Sequence, residues 1–187
     1  SREVETFARG RFSALKGGQK VHPDLLKSAM RAGAFLGGRE DLNWFERRFN
    51  ASENEHERMN ILSALGSFRE GGLIEAVLAF VMDKVPSRNR FIPVAALAGN
   101  PWAVPLLWDW YVSNRESLES LHPVHYERVI EAVVPFGGLG REDEVREYLK
   151  AHMERTDRAG DVIRLSLERL AINAGMRHAG MVSHRVA

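Results

Sequence analysis

Residues 98–114 read A-G-N-P-W-A-V-P-L-L-W-D-W-Y-V-S-N, and they show the pattern on which the fold prediction depends. Gly99 favours the end of one helix, and Asn100 is a residue type that caps the start of the next. Pro101 suits a first helical position, where its missing N–H has no helical partner in any case. Helical spacing of the apolar side chains then predicts one buried face, formed by Val104, Leu107, Trp108 and Tyr111.

The same alternation of turn residues and helical stripes extends in both directions. Toward the N-terminus it predicts helices over residues 3–15 and 23–36, and a capping box formed by Ser52 and Glu55. Toward the C-terminus, a glycine-rich turn at residues 137–140 separates two further helices. The last strong helix is predicted to end near Gly175. The stripe predicted for the second helix consists of Leu25, Leu26, Ala29, Met30, Gly33 and Leu36.

About ten short helices joined by tight turns predict an all-α fold. Because short connections make successive helices antiparallel neighbours, we expect stacked helix pairs, an α-solenoid of the HEAT or armadillo kind. Residues 1–187 are predicted to form a single helical-repeat domain, with a basic tail over residues 176–187. An irregular helical bundle is the alternative, since no strict sequence repeat is visible.

Composition excludes several classes of protein. The chain has no cysteine, which excludes disulfides, thiolate metal sites and a cysteine nucleophile. Lys and Arg number 26 against 25 Asp and Glu, so nothing indicates a nucleic-acid partner. No apolar run approaches the roughly 20 residues that span a bilayer. We therefore expect no membrane partner and a cytoplasmic location.

Three motifs resemble chemical sites without completing one. His56-Glu57-Arg58-Met59-Asn60 has Asn60 where H-E-x-x-H needs a second histidine for zinc. The histidines at 122, 125 and 152 are interpreted as ordinary surface residues. Residues 137–141 lack the lysine and hydroxyl of a phosphate loop, and we interpret them as a turn. We therefore expect no catalytic residue, no metal ligand and no cofactor in this chain.

Tryptophan is concentrated near the middle of the chain. Trp102, Trp108 and Trp110 are predicted to lie on one helix together with Tyr111. A stacking platform for nucleic acid would interleave such aromatic residues with Lys and Arg. Residues 100–114 contain neither, so we expect these side chains to pack in a core or an interface.

Residues 98–114 also resemble a pattern in the C-terminal domain of aminopeptidase N-type zinc peptidases. The matching residues, which we interpret as structural, are Asn100, Trp108, Asp109, Trp110 and Asn114, followed downstream by Leu167, Glu168 and Asn173. The resemblance extends over most of the chain, from about Asp24 to Arg177. The chain departs from the family pattern at residues 86–89 and at Met176.

The resemblance implies a HEAT-like domain that covers the catalytic domain of the same polypeptide and limits the access of peptide substrates. It places zinc, H-E-x-x-H and the G-x-M-E-N loop in earlier domains, so this chain is expected to be an inactive fragment of a zinc aminopeptidase. Basic side chains are natural partners for a peptide's carboxylate, and Arg88 and Arg90 are two candidates for this role. We favour solvated surface arginines there, so the substrate-binding residues stay unassigned. The alternative function is a free-standing helical scaffold that binds a protein partner.

Overall fold

The computed structural model describes residues 2–183, with side chains described through residue 179. Within this range all regular structure is helical, which confirms the all-α prediction. A single 3₁₀ turn lies at Ser87–Asn89. The α-helices are α1 (Arg2–Lys16), α2 (Pro23–Leu36), α3 (Arg39–Ala51), α4 (Glu55–Leu65), α5 (Gly71–Asp83), α6 (Phe91–Ala98), α7 (Val104–Ser113), α8 (Arg115–Glu119), α9 (Pro123–Gly137), α10 (Glu142–Arg155) and α11 (Gly160–Ser183).

The predicted capping box at the start of α4 is wrong in its register. Asn54 is the N-cap, and its side chain accepts a hydrogen bond from the Glu57 backbone N–H at 3.1 Å. Ser52 instead ends α3, and its hydroxyl lies 2.5 Å from Oε2 of Glu57. The reason is that α3 continues to Ala51, so the serine is needed at the end of one helix rather than at the start of the next.

The predicted end of the last helix near Gly175 is also wrong. Helix α11 continues through Gly175 to Ser183, so part of the predicted basic tail is helical. Residues 184–187 of that tail lie outside the described residues. A glycine ends a helix when it adopts a left-handed backbone, which within residues 2–183 only Gly18 and Gly140 do. Inside a helix, glycine costs only about 1 kcal/mol relative to alanine.

Contacts divide the chain into two compact units. Unit 1 consists of Ser1–Pro86 and Ile92–Ala103. In this unit α2 packs against α1 and α4, and α3 packs against α4 and α5. The apolar faces of α3 and α5 are buried, but Leu25, predicted to lie in the buried stripe of α2, is 43% exposed. The fully buried large side chains of unit 1 include Met30, Leu42, Phe45, Phe49, Ile61, Leu62, Leu65, Phe68 and Ile74.

Unit 2 consists of Ser87–Phe91 and Val104–Ala187. Here α9 packs against α7, α8 and α11, and α10 packs against α11. Of the face predicted for α7, Leu107, Trp108 and Tyr111 are fully buried and Val104 is half-buried. The fully buried side chains of α9 include Tyr126, Val129, Ile130 and Val133. Neighbouring helices packed in this way are compatible with an α-solenoid-like fold. That the chain forms one domain stays a prediction.

Candidate functional site

Asn100 lies in a tight turn of unit 1. Its Nδ2 donates hydrogen bonds to the carbonyl oxygens of Gly66 and Phe68, at 2.9 and 2.7 Å. Its Oδ1 accepts from the backbone N–H of Trp102 at 3.1 Å. The prediction that Asn100 caps a helix beginning at Pro101 is wrong, because α7 begins only at Val104. Instead, this buried amide joins the loop after α4 to the turn after α6.

A pocket of about 550 Å³ opens beside Asn100 in unit 1. The rings of Phe35 and Trp102 meet edge to face in its lining, with centroids 5.8 Å apart. Trp102 precedes α7 and is 48% exposed, so the prediction that it lies on that helix is wrong. The cationic side chain lining the pocket is Arg31, and it forms no ion pair with any described residue. The pocket can therefore accept an apolar group that carries a nearby negative charge.

Small residues in the lining allow α6 to pack close to the end of α4. A Cβ atom on Gly66 would lie 2.3 Å from Cβ of Ala96, so α4 and α6 approach closely only because Gly66 has no side chain. Arg69 fixes the rim: its Nε donates to the carbonyl oxygen of Phe35 at 2.8 Å, and its guanidinium lies 4.4 Å from the centroid of the Phe35 ring.

Trp108 connects the core of unit 2 to the start of α10. Its ring is fully buried and stacks on Tyr111, with centroids 5.4 Å apart, as the sequence predicts for a core residue. Its Nε1 donates to Oε1 of Glu144 at 3.0 Å. Oδ1 of the neighbouring Asp109 accepts a hydrogen bond from Nη1 of Arg141 at 2.6 Å. The same guanidinium donates through Nε and Nη2 to the two carboxylate oxygens of Glu144.

The charges in this cluster perturb one another. Hydrogen bonds to Glu144 and Asp109 raise the pKa of the Arg141 guanidinium. Hydrogen bonds from Arg141 and Trp108 lower the pKa of the Glu144 carboxyl group. Asp109 and Glu144 are exposed and Arg141 is half-buried, and ion pairs of this kind contribute little to stability. The cluster joins Asp109 of α7 to the turn between α9 and α10, where Gly140 adopts a φ of +85° as the predicted turn requires.

The other asparagines of the family pattern also bind carbonyl groups at helix ends. Asn114 Nδ2 donates to the carbonyl oxygen of Trp110 at 2.8 Å, at the end of α7. Asn173 Nδ2 donates to that of Pro135 at 2.9 Å, in the last turn of α9. The last four carbonyl groups of a helix lack the usual partner within it. The Asn173 amide supplies such a partner to Pro135, whereas the Trp110 carbonyl oxygen also accepts a hydrogen bond from the Asn114 backbone N–H at 3.1 Å.

The remaining family-pattern residues form no comparable contacts. Trp110 is half-buried, and its Nε1 has no hydrogen-bond partner among the described residues. Leu167 is half-buried and Glu168 is exposed on α11. The structure thus brings Trp108 and Asp109 to the hydrogen-bonded pair Glu144 and Arg141. Asn114 and Asn173 donate to carbonyl groups in the last turns of α7 and α9, and Asn100 donates to the segment after α4.

A buried polar cluster in unit 2 was missed by the sequence interpretation. The hydroxyl groups of Tyr111 and Tyr126 lie 2.9 Å apart, and burial raises the pKa of Tyr126 to about 12. His152, expected at the surface, is 1% exposed and its Nδ1 lies 3.2 Å from Oε1 of Glu119. Its place on the same stripe as Val145 and Leu149 was the signal for burial.

Metal ligands do not converge in the described part of the chain. Within residues 2–179, no three His, Asp or Glu side chains form a group that could hold a metal ion. His56 is exposed, and its Nδ1 lies 3.5 Å from Nδ2 of the buried Asn60.

No helix over residues 2–183 has the length and apolar character needed to cross a membrane.

These observations describe an all-helical domain whose family-pattern asparagines and Trp108 make structural contacts. Comparison with known families then identifies the family. Residues 1–180 match the model of the ERAP1-like C-terminal domain, and the chain belongs to this family.

A curated relative supports the same assignment. The chain is similar to "Aminopeptidase 2, mitochondrial" from Saccharomyces cerevisiae, with 25% identity over 154 residues. The match covers 78% of this chain and 16% of the relative. The chain therefore spans about one sixth of the relative's length. Together with the family match, this similarity supports a C-terminal domain of an aminopeptidase N-type enzyme.

Proposed function

We propose that this chain is the non-catalytic C-terminal domain of a zinc aminopeptidase, and that it shapes the space that peptide substrates enter. The match of residues 1–180 to the ERAP1-like C-terminal domain carries the proposal. The name of the yeast relative supports an aminopeptidase as the whole protein. The catalytic domain of the same polypeptide and its peptide substrates are then the partners.

The residues of this chain do not fit a zinc site. Asn60 replaces the second histidine of the nearest motif, and amide side chains are not among the usual zinc ligands. Zinc would therefore be bound by residues elsewhere in the aminopeptidase. No step of peptide hydrolysis is assigned to the side chains of this domain.

The pocket beside Asn100 is the candidate contact point for a peptide in this domain. Phe35 and Trp102 offer apolar surface, and Arg31 offers an exposed guanidinium that can bind a carboxylate or a backbone carbonyl. An exposed ion pair contributes up to about 1 kcal/mol, so loss of Arg31 should lower binding of a peptide that reaches it by roughly two- to fivefold.

The test compares Arg31→Ala with Lys27→Ala in the full-length aminopeptidase. Lys27 lies one turn earlier on α2, is also exposed, and does not line this pocket. We expect Arg31→Ala to lower kcat/KM for long peptides while turnover of a short chromogenic amino-acid amide stays unchanged. Lys27→Ala should leave both activities unchanged.

Deletion of the residues equivalent to 1–187 tests the broader role. If the shortened enzyme stays folded and zinc-loaded, it should lose its discrimination between short and long peptides. Unchanged discrimination would contradict the proposed cavity role and favour the scaffold alternative.

A further inference from the structure

Helix α11 carries an exposed apolar stripe in unit 2. Leu165 is 54% exposed, Ile172 60% and Met176 62%. Steps of seven and four residues keep these three side chains on one face of the helix, because an α-helix turns once every 3.6 residues. The stripe extends over residues 165–176, which is about three helical turns.

The opposite face of α11 is buried inside unit 2. Ile163 and Ser166 are fully buried there, Leu170 is 2% exposed, and the helix packs against α9 and α10. The apolar stripe faces away from this packing. Single exposed apolar residues are normal, but a contiguous exposed apolar patch marks an interaction surface. The stripe has the character of such a surface.

Two residues of opposite charge flank the stripe near its centre. At about 100° per residue, Glu168 lies on one edge of the stripe and Arg169 lies on the other. Both side chains are exposed, and neither forms an ion pair with a residue whose side chain the structure describes. The stripe therefore has an acidic edge and a basic edge at almost the same height along the helix.

This arrangement of charges is complementary to itself. In a parallel pair of identical helices related by a two-fold axis, the acidic edge of each helix faces the basic edge of the other. Glu168 of each copy then lies opposite Arg169 of the second copy, while Leu165 and Ile172 meet their own counterparts. An antiparallel pair would bring like edges together. Charges beside an apolar seam set the orientation and the partner of paired helices, so the pattern favours a parallel pair.

The size of the stripe sets the strength of the contact. At 1.5 Å per residue, residues 165–176 span about 17 Å, and a helix with its side chains is about 10 Å wide. A strip of this size is well below the roughly 800 Å² per partner of a standard stable interface. The contact should therefore be reversible and depend on protein concentration.

We propose that the apolar stripe of α11 joins two copies of the protein in a reversible dimer, through a parallel α11–α11 contact with two Glu168–Arg169 ion pairs. The self-complementary order of the charges favours a second copy over a partner of different sequence, because a two-fold axis supplies the opposite charge at both edges. The inference does not depend on the proposed role in peptide access.

Sedimentation velocity of the full-length protein tests the proposal. The mass should rise toward that of a dimer with a Kd of about 10 μM. Arg169→Glu places carboxylates opposite each other at both edges and should raise this Kd at least about tenfold. Exchange of the two charges, in Glu168→Arg combined with Arg169→Glu, restores complementarity and should return the Kd to within about threefold of the parent value. Lys150→Glu is the matched control, because Lys150 is exposed on α10 and lies outside the stripe.

Disulfide trapping tests the orientation of the two helices. Residues 1–187 contain no cysteine, so the product of Ile172→Cys can be identified in its own peptide by mass spectrometry. In a parallel pair the two copies of position 172 lie at the same height and should form a disulfide between copies on mild oxidation. The same treatment of Lys150→Cys should give no such product.

A full-length protein that stays monomeric up to about 100 μM would overturn the proposal. A dimer whose Kd is the same for Arg169→Glu as for the parent would also overturn it, because another surface would then join the copies. If the combined charge exchange associates no better than Arg169→Glu, the pairing of Glu168 with Arg169 is wrong. Circular dichroism should show unchanged helix content in each variant, since Glu and Arg are both good helix formers.

Discussion

Replacement of Asn100 by alanine should destabilise unit 1 more than replacement of any exposed asparagine. The mutation removes the three hydrogen bonds of the side chain, two of them donated to the carbonyl oxygens of Gly66 and Phe68, in a site where Asn100 is 6% exposed. Each bond contributes about 1 kcal/mol, and each buried carbonyl left unpaired costs about 1–3 kcal/mol. Because water can partly replace the lost amide, we expect a total of roughly 2–4 kcal/mol.

The measurements are urea denaturation, which gives the free energy of unfolding, and thermal denaturation, which gives Tm, both followed by far-UV circular dichroism and tryptophan fluorescence. For a chain of this size the expected loss corresponds to a fall in Tm of roughly 4–16 °C. Asn43→Ala is the control, because Asn43 is exposed on α3 and should change stability by less than about 0.5 kcal/mol.

A second substitution at the same position separates the loss of hydrogen bonds from the loss of packing. Asn100→Asp keeps the shape of the side chain but places a carboxylate against two carbonyl oxygens, so it should destabilise more than Asn100→Ala at neutral pH. Its stability should recover in acid, where the carboxyl group can donate one hydrogen bond. If Asn100→Ala unfolds within about 0.5 kcal/mol of the parent, the structural role argued for this amide is wrong.

Two further predictions concern unit 2. Trp108→Ala should cost roughly 3–5 kcal/mol, because it empties a fully buried site, whereas Trp108→Phe should cost less; an unchanged thermal midpoint would contradict this. For Tyr126 the folded-state pKa of about 12 lies above the ordinary value of 10.0, so the unfolded chain loses its proton first. The contribution of protonated Tyr126 to the free energy of unfolding should therefore be fully present below pH 10 and be lost between pH 10 and 12. In a series of denaturation curves at different pH values, Tyr126→Phe should make this decline less steep.

The candidate site was only partly predictable from the sequence. The W-D-W pattern indicated a structural element, and the burial of Trp108 followed from its place on an apolar stripe. Its partner Glu144, by contrast, lies 36 residues away and belongs to an acidic run that the sequence explains equally well as a helix N-terminus. Likewise, no local rule connects Asn100 with carbonyl groups 32 and 34 residues earlier.

The sequence by itself determined the helical class of the protein and most of its buried faces. The spacing of apolar residues along a helix depends on near neighbours in the sequence, so it can be interpreted without the tertiary fold. The same is true of Pro23, which begins α2 at a position where its missing N–H has no helical partner. The family assignment also followed from residues 98–114.

Only the tertiary structure decided which polar groups meet and where helices end. Ser52 and Asn54 are both favourable residue types for an N-cap. Because α3 continues to Ala51, Ser52 lies at the end of α3, and Asn54 is the N-cap of α4. The local sequence around Asn100 is typical of a helix cap. In the folded structure its amide instead donates hydrogen bonds to two carbonyl groups that are distant in the sequence. Such outcomes depend on competition between local and distant partners, and that competition is settled only when the helices pack.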